Sequence, residues 1–384
     1  ARGGLMFAPR LEIDLGKIQH NARTLVERLA RRGISVTGVT KAALGSSEVA
    51  HAMQLAGVGG LGDSRIENIE AMRSSHVSAR LSLIRSPMLS QAKRVVMSAD
   101  VSFNTELEVI RRLSLEAGKV GRTHAVVLMV ELGDLREGIM PDDLVAAVRE
   151  TLSLPNIVFK GIGTNLACRS GASPDDANMG ELSRLATLIE ATFDISIEIV
   201  SGGNSANLQW AFGSDHMGRI NNLRLGESIL LGVEALDRHV IDGLHTDATT
   251  LVAEVIESKP KPTQPTGKLA QNAFGEWPEV VDRGTVAQAI LAIGVQDVDL
   301  GGLQPPDGIE ILGGSSDHLV VTSNAGDLAV GAEVTFQLDY SALLRAMTSP
   351  FVAKSYKSAG NVTGLLILAF RYVGLEMREH VLKR

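Results

Sequence analysis

Hydrophobic and polar positions follow two alternating patterns over the first 240 residues. In residues 16–32, GKIQHNARTLVERLARR, apolar residues recur with helical spacing, and the pattern ends at Gly33. Residues 34–41, ISVTGVTK, then form a short run rich in β-branched residues, which is typical of a buried strand. The same alternation repeats as far as NLRLGESILLG at 222–232. It predicts eight short strands with helices or helical turns between them.

Eight successive strand–helix units predict an α/β fold, a (β/α)8 TIM-type barrel. Parallel strands need crossover helices between them, and eight such strands can close into a barrel without a free edge. A doubly wound open sheet is the alternative.

The pattern changes after about residue 240. Alternating segments such as LVAEVIES and AEVTFQLDY follow one another without long helices, so we predict a second, all-β domain. The predicted boundaries are 10–240 for the barrel and 241–356 for the β domain, to which residues 1–14 could add a strand. For the tail, 357–384, the pattern leaves a docking helix, a strand and an extension open.

Composition narrows the classes of partner. The chain has 384 residues, 45% of them hydrophobic, and a formal net charge of -7 with acids and bases interspersed. This argues against a nucleic-acid interface or a basic membrane-binding face, so we expect small-molecule partners. Cys168 is the single cysteine, which excludes an intrachain disulfide and fits a cytoplasmic protein. The longest apolar run near the end, LLILAF, is too short to span a bilayer.

Polar residues stand where the predicted barrel strands end, which is where barrel enzymes have their active sites. They are Lys41, Asp63, Arg65, Arg85, Ser86, Asn104, Arg136, Asn165, Asn204, Ser205 and Arg224. Two loops are distinctive, SGGNSAN at 201–207 after the seventh strand and RLGES at 224–228 at the eighth. Free backbone N–H groups in such turns bind phosphate, so we expect a phosphate-bearing ligand.

Lys41 ends the first strand and would face this phosphate site. An amine that is desolvated and close to arginines becomes less basic and can form a Schiff base with an aldehyde, which together with the phosphate indicates pyridoxal phosphate. The nine histidines show no helix-spaced pair, so we predict no metal. The segment GVGGLG at 57–62 follows a helix, and we interpret it as a tight turn.

Several segments together resemble the alanine racemase family of fold-type III pyridoxal-phosphate enzymes, in particular its ornithine/alanine racemase-like branch. They are LEIDLGKIQHNARTL, GVTKAAL, LGDSRIENI, GTNLACRSGASPD, SGGNSANL, RLGESILLG, QNAFG and GGSSDHLVV. The resemblance covers roughly residues 10–356. It implies a barrel followed by a β domain, with pyridoxal 5'-phosphate as the cofactor.

The resemblance also implies roles for the barrel residues. Lys41 corresponds to the Schiff-base lysine, which is also the base on one face of the substrate Cα. Arg224 matches an arginine at the pyridine nitrogen, where a cation favours return of the proton to Cα. Arg136 would lie near the cofactor and the substrate carboxylate, and Asn165 stands where many relatives have a histidine packed on the ring. The phosphate cradle would comprise Asn204, Ser205, Gly226 and the amide of Glu227.

Racemisation needs a second acid/base that faces Lys41 across a planar carbanion. In the better-known alanine racemases this is a tyrosine from the β domain of the partner subunit, which implies a head-to-tail homodimer with shared active sites. In this chain the corresponding position falls near Asn272, and none of the three tyrosines lies in that motif. An amide is a poor proton acceptor, so the catalytic position at Asn272 departs from the family pattern.

The loop SSDHL at 315–319 aligns with another segment that reaches the partner's site. Asp317 and His318 are therefore the candidate substitute bases, because a histidine titrates near neutral pH. Ser316, together with Arg136, is the expected substrate contact.

We therefore expect a cytoplasmic racemase that interconverts the L and D forms of a free amino acid. Ornithine or another basic amino acid is preferred on family grounds, with alanine or serine as alternatives. Asp134, Glu137 and Asp317 are candidate partners for a side-chain ammonium. Two other hypotheses stay open: a non-catalytic pyridoxal-phosphate-binding or homeostasis protein, whose known examples generally lack a β domain, and a decarboxylase or aldolase on the same fold.

Overall fold

Eight parallel strands close into a barrel in the computed structural model, which describes residues 7–277, 281–324 and 326–358. The first barrel strand pairs with both the second and the eighth. The barrel strands are β2 (Ser35–Val39), β3 (Gly60–Asp63), β4 (Leu81–Leu83), β5 (Val101–Asn104), β6 (His124–Met129), β7 (Ile157–Gly163), β8 (Ile199–Ser201) and β9 (Asn222–Leu225). Closure confirms the predicted (β/α)8 barrel and excludes an open sheet.

Helices cover the outside of the barrel. They are α1 (Leu15–Ala30), α2 (Ser47–Leu55), α3 (Ile66–Ser74), α4 (Ala92–Ser98), α5 (Leu107–Lys119), α6 (Leu144–Ser153), α7 (Asp176–Phe193), α8 (Asn207–Gly213) and α9 (Glu227–Leu231). Helix α1 illustrates the local rules. Asp14 caps it by accepting a hydrogen bond from the Lys17 amide at 3.0 Å, and the buried Ile18, Ala22 and Leu25 recur at helical spacing.

Side chains fill the barrel interior. Val101 and Phe103 of β5 and Val127 and Met129 of β6 form a buried cluster of their own, separate from the larger core between strands and helices. Residues two apart on a strand share a face, which is why alternate residues enter the barrel. Because the interior is filled, ligands can be held only at the ends of the barrel.

An eight-stranded, mostly antiparallel sheet follows the barrel. Its strands are β1 (Arg10–Asp14), β10 (Thr249–Pro262), β11 (Thr285–Leu291), β12 (Leu303–Gln304), β13 (Ile309–Gly314), β14 (Leu319–Ser323), β15 (Glu333–Leu338) and β16 (Ala353–Lys357). Strand β1 lies antiparallel to β10 and parallel to β16, so the start of the chain is joined to this sheet.

The β domain also contains one helix that the sequence pattern did not predict, α10 (Tyr340–Thr348). Asp339 caps it by accepting a hydrogen bond from the Ala342 amide at 2.8 Å. Its buried face comprises Ala342, Leu343, Ala346 and Met347. The helix has nine residues, about two and a half turns, and so short an apolar repeat is easily taken for the end of the preceding strand.

Two sequence predictions concern the chain ends and membranes. No helix in the ranges described above is long and apolar enough to cross a membrane. The predicted tail lies outside the described residues apart from Lys357, which ends β16, and residue 358.

Candidate active site

Lys41 lies at the mouth of the barrel, directly after the first barrel strand. The preceding residue, Thr40, continues the strand ladder through its amide, which donates to the Gly62 carbonyl at 2.9 Å. The Thr40 hydroxyl donates to Asp63 Oδ2 at 2.8 Å, and both side chains are fully buried. Lys41 then begins a single 3-10 turn, in which Ala42 is buried. The Lys41 backbone is therefore fixed by the neighbouring strand on one side and by a packed turn on the other.

The Asp63 carboxyl stabilises the start of this turn through its hydrogen bond with Thr40. It also accepts hydrogen bonds from the Arg65 amide at 2.9 Å and from Asn68 Nδ2 at 3.0 Å. Burial raises the pKa of Asp63, and these hydrogen bonds oppose that effect only in part.

A tyrosine from the β domain of the same chain lies beside Lys41. The Lys41 amine is 5.5 Å from the centroid of the Tyr340 ring, a distance at which an ammonium is attracted to an aromatic face. Tyr340 is the first residue of α10. Sequence reasoning missed this residue because it does not lie in the tyrosine motif of the family. The signal that could have found it is the capping aspartate followed by an apolar helical repeat in DYSALLRAM.

Arg224 is the buried cation of the site, with 4% of its surface exposed. Its Nη1 donates to Ser201 Oγ at 2.5 Å and its Nη2 to the Thr164 carbonyl at 2.8 Å. The guanidinium also lies 5.1 Å from the centroid of the Phe103 ring inside the barrel. Burial lowers the pKa of Arg224 to about 10, so the side chain is still charged at neutral pH.

Asn165 and Asn204 connect Arg224 to the loop after the seventh strand. Asn165 Oδ1 accepts hydrogen bonds from Asn204 Nδ2 at 3.1 Å and from Arg224 Nη2 at 3.3 Å. Asn204 Nδ2 also donates to the Leu166 carbonyl at 2.9 Å. The Asn204 side chain therefore holds two loops together, whereas Asn165 Nδ2 is buried without a hydrogen-bond partner.

The other predicted cradle residues meet at the start of α9. Ser205 Oγ lies 3.0 Å from Ser228 Oγ and accepts a hydrogen bond from the Ser228 amide at 3.2 Å. A Cβ at Gly226 would lie 3.2 Å from both the Cβ and the carbonyl oxygen of Val39, so a larger residue would push the start of α9 slightly away from the first barrel strand. Glu227 is the first residue of α9, where backbone N–H groups have no partner within the helix.

The loop that carries Cys168 is fastened to Asp134. The buried Asp134 Oδ1 accepts hydrogen bonds from the amides of Cys168, Arg169 and Ser170 at 3.1, 3.0 and 3.1 Å. Although burial works to raise the pKa of Asp134, these donors outweigh it and the pKa lies below its usual range. The Cys168 thiol accepts a weak hydrogen bond from Asn204 Nδ2 at 3.4 Å, so the single cysteine belongs to the site, which its sequence position alone did not reveal.

Arg136 is exposed and pairs with its neighbour Glu137. Burial and, to a smaller extent, the charge of Arg136 lower the pKa of Arg224. Two of the predicted ammonium partners are thus already engaged: Glu137 by Arg136, and Asp134 Oδ1 by three amides.

The remaining predicted site residues lie on loops of the β domain. Ser316, Asp317 and His318 occupy the exposed turn between β13 and β14, where His318 Nδ1 lies 2.8 Å from Asp317 Oδ1. Asn272 is exposed, and its Oδ1 accepts hydrogen bonds from the amides of Phe274 and Glu276 within its own loop. In the described part of the chain, no hydrogen bond or ion pair joins these four residues to the barrel mouth.

One group of side chains in the described residues has metal-ligand spacing. Ligand atoms of Glu234, Asp237 and His239 lie within 4.8 Å of one another. The Glu234 carboxylate accepts hydrogen bonds from the amides of Leu236, Asp237 and His239, so it already serves as a turn cap. The prediction that the protein has no metal site stays a prediction.

Comparison with known proteins gives a family. The family model described as "Alanine racemase, N-terminal domain" matches residues 13–233. The chain is 39% identical over 354 residues to a lysine racemase of Thermotoga maritima, covering 92% of this chain and 99% of the relative. It is 37% identical over 351 residues to an ornithine racemase of Acetoanaerobium sticklandii, covering 90% of this chain and 99% of the relative.

Solved structures agree on the fold at lower identity. An alanine racemase of Clostridium difficile 630 superimposes with a TM-score of 0.71 at 18% identity, over 94% of this chain and 98% of that one. A D-threonine aldolase of Filomicrobium marinum superimposes with a TM-score of 0.72 at 15% identity, over 94% of each chain. Because one fold hosts different reactions, the sequence relatives carry the assignment. The chain belongs to the alanine racemase family of pyridoxal-phosphate-dependent enzymes and is an amino-acid racemase.

Proposed function

We propose that this racemase interconverts the L and D forms of a basic amino acid, ornithine or lysine, with pyridoxal phosphate held at Lys41. The observation that carries the proposal is the pair of relatives named for lysine and ornithine, which match this chain at 39% and 37% identity over nearly their whole length. Relatives named for alanine align over much less of it, for example 51% of this chain at 30% identity.

The residues at the barrel mouth fit a phosphorylated aldehyde. In this proposal the buried guanidinium of Arg224 is the cation for the ring nitrogen, and the amine of Lys41 is the group that takes the aldehyde. Asn165 Nδ2, buried without a partner, is a free donor next to Arg224. Gly226 lets the start of α9 lie close to the first barrel strand, so the Glu227 amide and the Lys41 amine lie at the same barrel mouth.

Each side chain then has a task in the reaction. When bound, pyridoxal phosphate supplies the electron sink that stabilises the carbanion left after the Cα proton departs. Lys41 holds the cofactor and exchanges the proton with Cα on one face. Arg224, charged at neutral pH, would disfavour a proton on the ring nitrogen of the bound cofactor, so that negative charge would stay at Cα and the proton would return there. Arg136 is the cation for the substrate carboxylate.

The second proton comes, in this proposal, from a partner subunit in a head-to-tail homodimer in the cytoplasm. The turn that carries Ser316, Asp317 and His318 is exposed, so it is available to another copy of the chain. Asp317 Oδ1 can hold the Nδ1–H of His318, which leaves Nε2 to exchange a proton. Asn272 is a poorer candidate, because its side chain organises its own loop.

Incorporation of deuterium tests the activity and the substrate. Wild-type protein is incubated in deuterated water with a panel of L- and D-amino acids that includes ornithine, lysine, alanine, serine and threonine. Exchange at Cα with inversion, fastest for ornithine or lysine, is the expected result. Inversion of alanine alone would refute the substrate assignment, and cleavage of threonine would place the protein among aldolases.

Mixed dimers test the shared site. Lys41→Ala and His318→Ala homodimers are each expected to fail in inversion, whereas their mixture regains activity, because one site of a heterodimer has both bases intact. His216→Ala, a substitution of an exposed histidine on the barrel, serves as the matched control and keeps wild-type activity. A mixture that stays inactive, or a fully active His318→Ala homodimer, would remove the partner's His318 from the mechanism.

A further inference from the structure

A carboxyl group that none of the roles above uses lies at the same end of the barrel as Lys41. The Glu227 side chain is only 11% exposed, and its Oε1 is buried without a hydrogen bond. An ionised carboxylate in such a position is costly unless a nearby charge or a proton compensates it. The proposed cradle uses the Glu227 amide, so the side chain needs a separate explanation.

The strand register places Glu227 and Lys41 after two neighbouring strands. Strands β2 and β9 are neighbours, with Gly38 paired to Leu225. Lys41 follows Gly38 by three residues, and Glu227 follows Leu225 by two. Both residues therefore follow adjacent strands at the same end of the barrel, where Gly226 lies close to Val39. No ion pair joins Lys41 to Glu227 among the described residues, so a proton passes between them when the flexible lysine side chain turns toward the carboxyl.

Charges from several elements act on the Glu227 carboxyl. The Arg238 guanidinium comes within 3.1 Å of Oε1, though not along a hydrogen-bond direction, and Lys41 also favours the ionised form. Asp339, at the start of α10, and Glu234 disfavour that form. Burial is the largest influence and raises the pKa of Glu227 to about 7, so the group can change its protonation state near neutral pH.

We propose that Glu227 is the proton partner of Lys41: its carboxylate accepts the proton that the Lys41 ammonium must lose before the amine can react with the cofactor aldehyde. The proposal rests on the function proposed above. The exchange is balanced, because the N–H bond that breaks on Lys41 is replaced by an O–H bond on Glu227, and the electron pair freed on nitrogen is the one that attacks carbon. Glu227 then stays neutral.

The phosphate of the cofactor explains why the Glu227 carboxyl would stay protonated and neutral. A phosphate at the Glu227 amide would bring negative charge close to the same residue's carboxyl, and two negative charges at short range in a partly buried site repel strongly. A protonated carboxyl avoids that repulsion. Binding of cofactor and uptake of a proton by Glu227 are therefore coupled, as any two sites are when each alters the affinity of the other.

Isothermal titration calorimetry gives the number of protons that the protein takes up or releases when the cofactor binds. Pyridoxal phosphate is titrated into cofactor-free full-length protein at pH 8 in two buffers of different ionisation enthalpy, which gives the protons exchanged per cofactor bound. Glu227→Gln cannot take up the proton from Lys41, so it is expected to release about one more proton per cofactor than wild type. Asp237→Asn, which changes an exposed acid of the same segment, is the matched control and behaves as wild type. Equal proton counts in wild type and Glu227→Gln would overturn the proposal.

Infrared difference spectroscopy of the wild-type protein gives an independent reading that needs no variant. Cofactor binding should produce the C=O band of a protonated carboxyl group, and a folded Glu227→Gln protein should lack it. The absence of the band from wild type would also overturn the proposal. If wild-type protein takes up no cofactor and shows no visible absorption with it, the proposed function itself fails, which is a different result from normal binding without the proton.

Discussion

The hydrogen bond between Thr40 and Asp63 holds the residue that precedes Lys41, and Thr40→Val removes it. Valine has nearly the shape of threonine, so the substitution deletes the hydroxyl that donates to Asp63 Oδ2 at 2.8 Å and leaves packing almost unchanged. Both residues are fully buried, so water cannot replace the donor.

The expected cost follows from the nature of the acceptor. A neutral hydrogen bond contributes about 1 kcal/mol and one to a charged group about 1.5–3 kcal/mol. We expect the free energy of unfolding to fall by about 2 kcal/mol, since the Asp63 carboxyl keeps its bonds from the Arg65 amide and Asn68. Loss of the hydroxyl also raises the pKa of Asp63 further. Because folding raises the pKa of this carboxyl, stability declines as pH rises from its unfolded-state to its folded-state pKa, so in the variant the decline should extend to higher pH and become larger.

Urea unfolding of the full-length protein tests this, with Thr151→Val as the matched control. Thr151 is also fully buried, but its hydroxyl donates to a neutral acceptor, the Ala147 carbonyl, at 2.8 Å, so its loss should cost about 1 kcal/mol or less. A double-mutant cycle with Asp63→Asn isolates the pairwise energy. Equal unfolding free energies of Thr40→Val and wild type, or no coupling in the cycle, would refute the reasoning. Cofactor affinity should weaken in parallel, because the turn that begins at Lys41 is less firmly held.

Three further predictions concern charge and burial. Burial lowers the pKa of His124 from 6.5 to about 4, so the free energy of unfolding falls as pH drops below 6.5, by about 3 kcal/mol at pH 4. Urea unfolding of His124→Gln should therefore depend less on pH than that of wild type. Parallel pH profiles of the two proteins would contradict this. Hydrogen bonds from Arg219 and the Ile197 amide lower the pKa of Glu190 to about 2. The stability that this carboxylate contributes above pH 4.5 is therefore lost as pH falls to 2. The thermal midpoint of Glu190→Gln should change less over this range than that of wild type. Asp134→Ala removes the acceptor of three amides on an exposed loop, so hydrogen exchange of the amides at 168–170 should accelerate and cofactor affinity should fall. Unchanged exchange would show that the loop stays ordered without Asp134.

The barrel was predicted from the local pattern of hydrophobic residues. Helical and strand periodicities report which face of each segment is buried, and that information is contained in a few consecutive residues, as in the run from Ile34 to Lys41. The same patterns placed Lys41 and Arg224 at strand ends, and parallel strands of one barrel bring such ends together. Helix α10 was missed because its short apolar repeat follows a strand without a break in hydrophobicity.

The sequence by itself therefore determined the fold class, the family and the residues at the strand ends, since each depends on short segments. The tertiary structure decided what those residues touch. It placed Tyr340 beside Lys41, buried the Glu227 carboxyl, brought Cys168 to Asn204, and turned the Asn204 side chain toward the loop of Leu166. Lys41 and Tyr340 are separated by some 300 positions, so their contact depends on how the β domain packs on the barrel. Burial, hydrogen bonding and charge at such contacts are properties of the assembled chain, and a local pattern does not contain them.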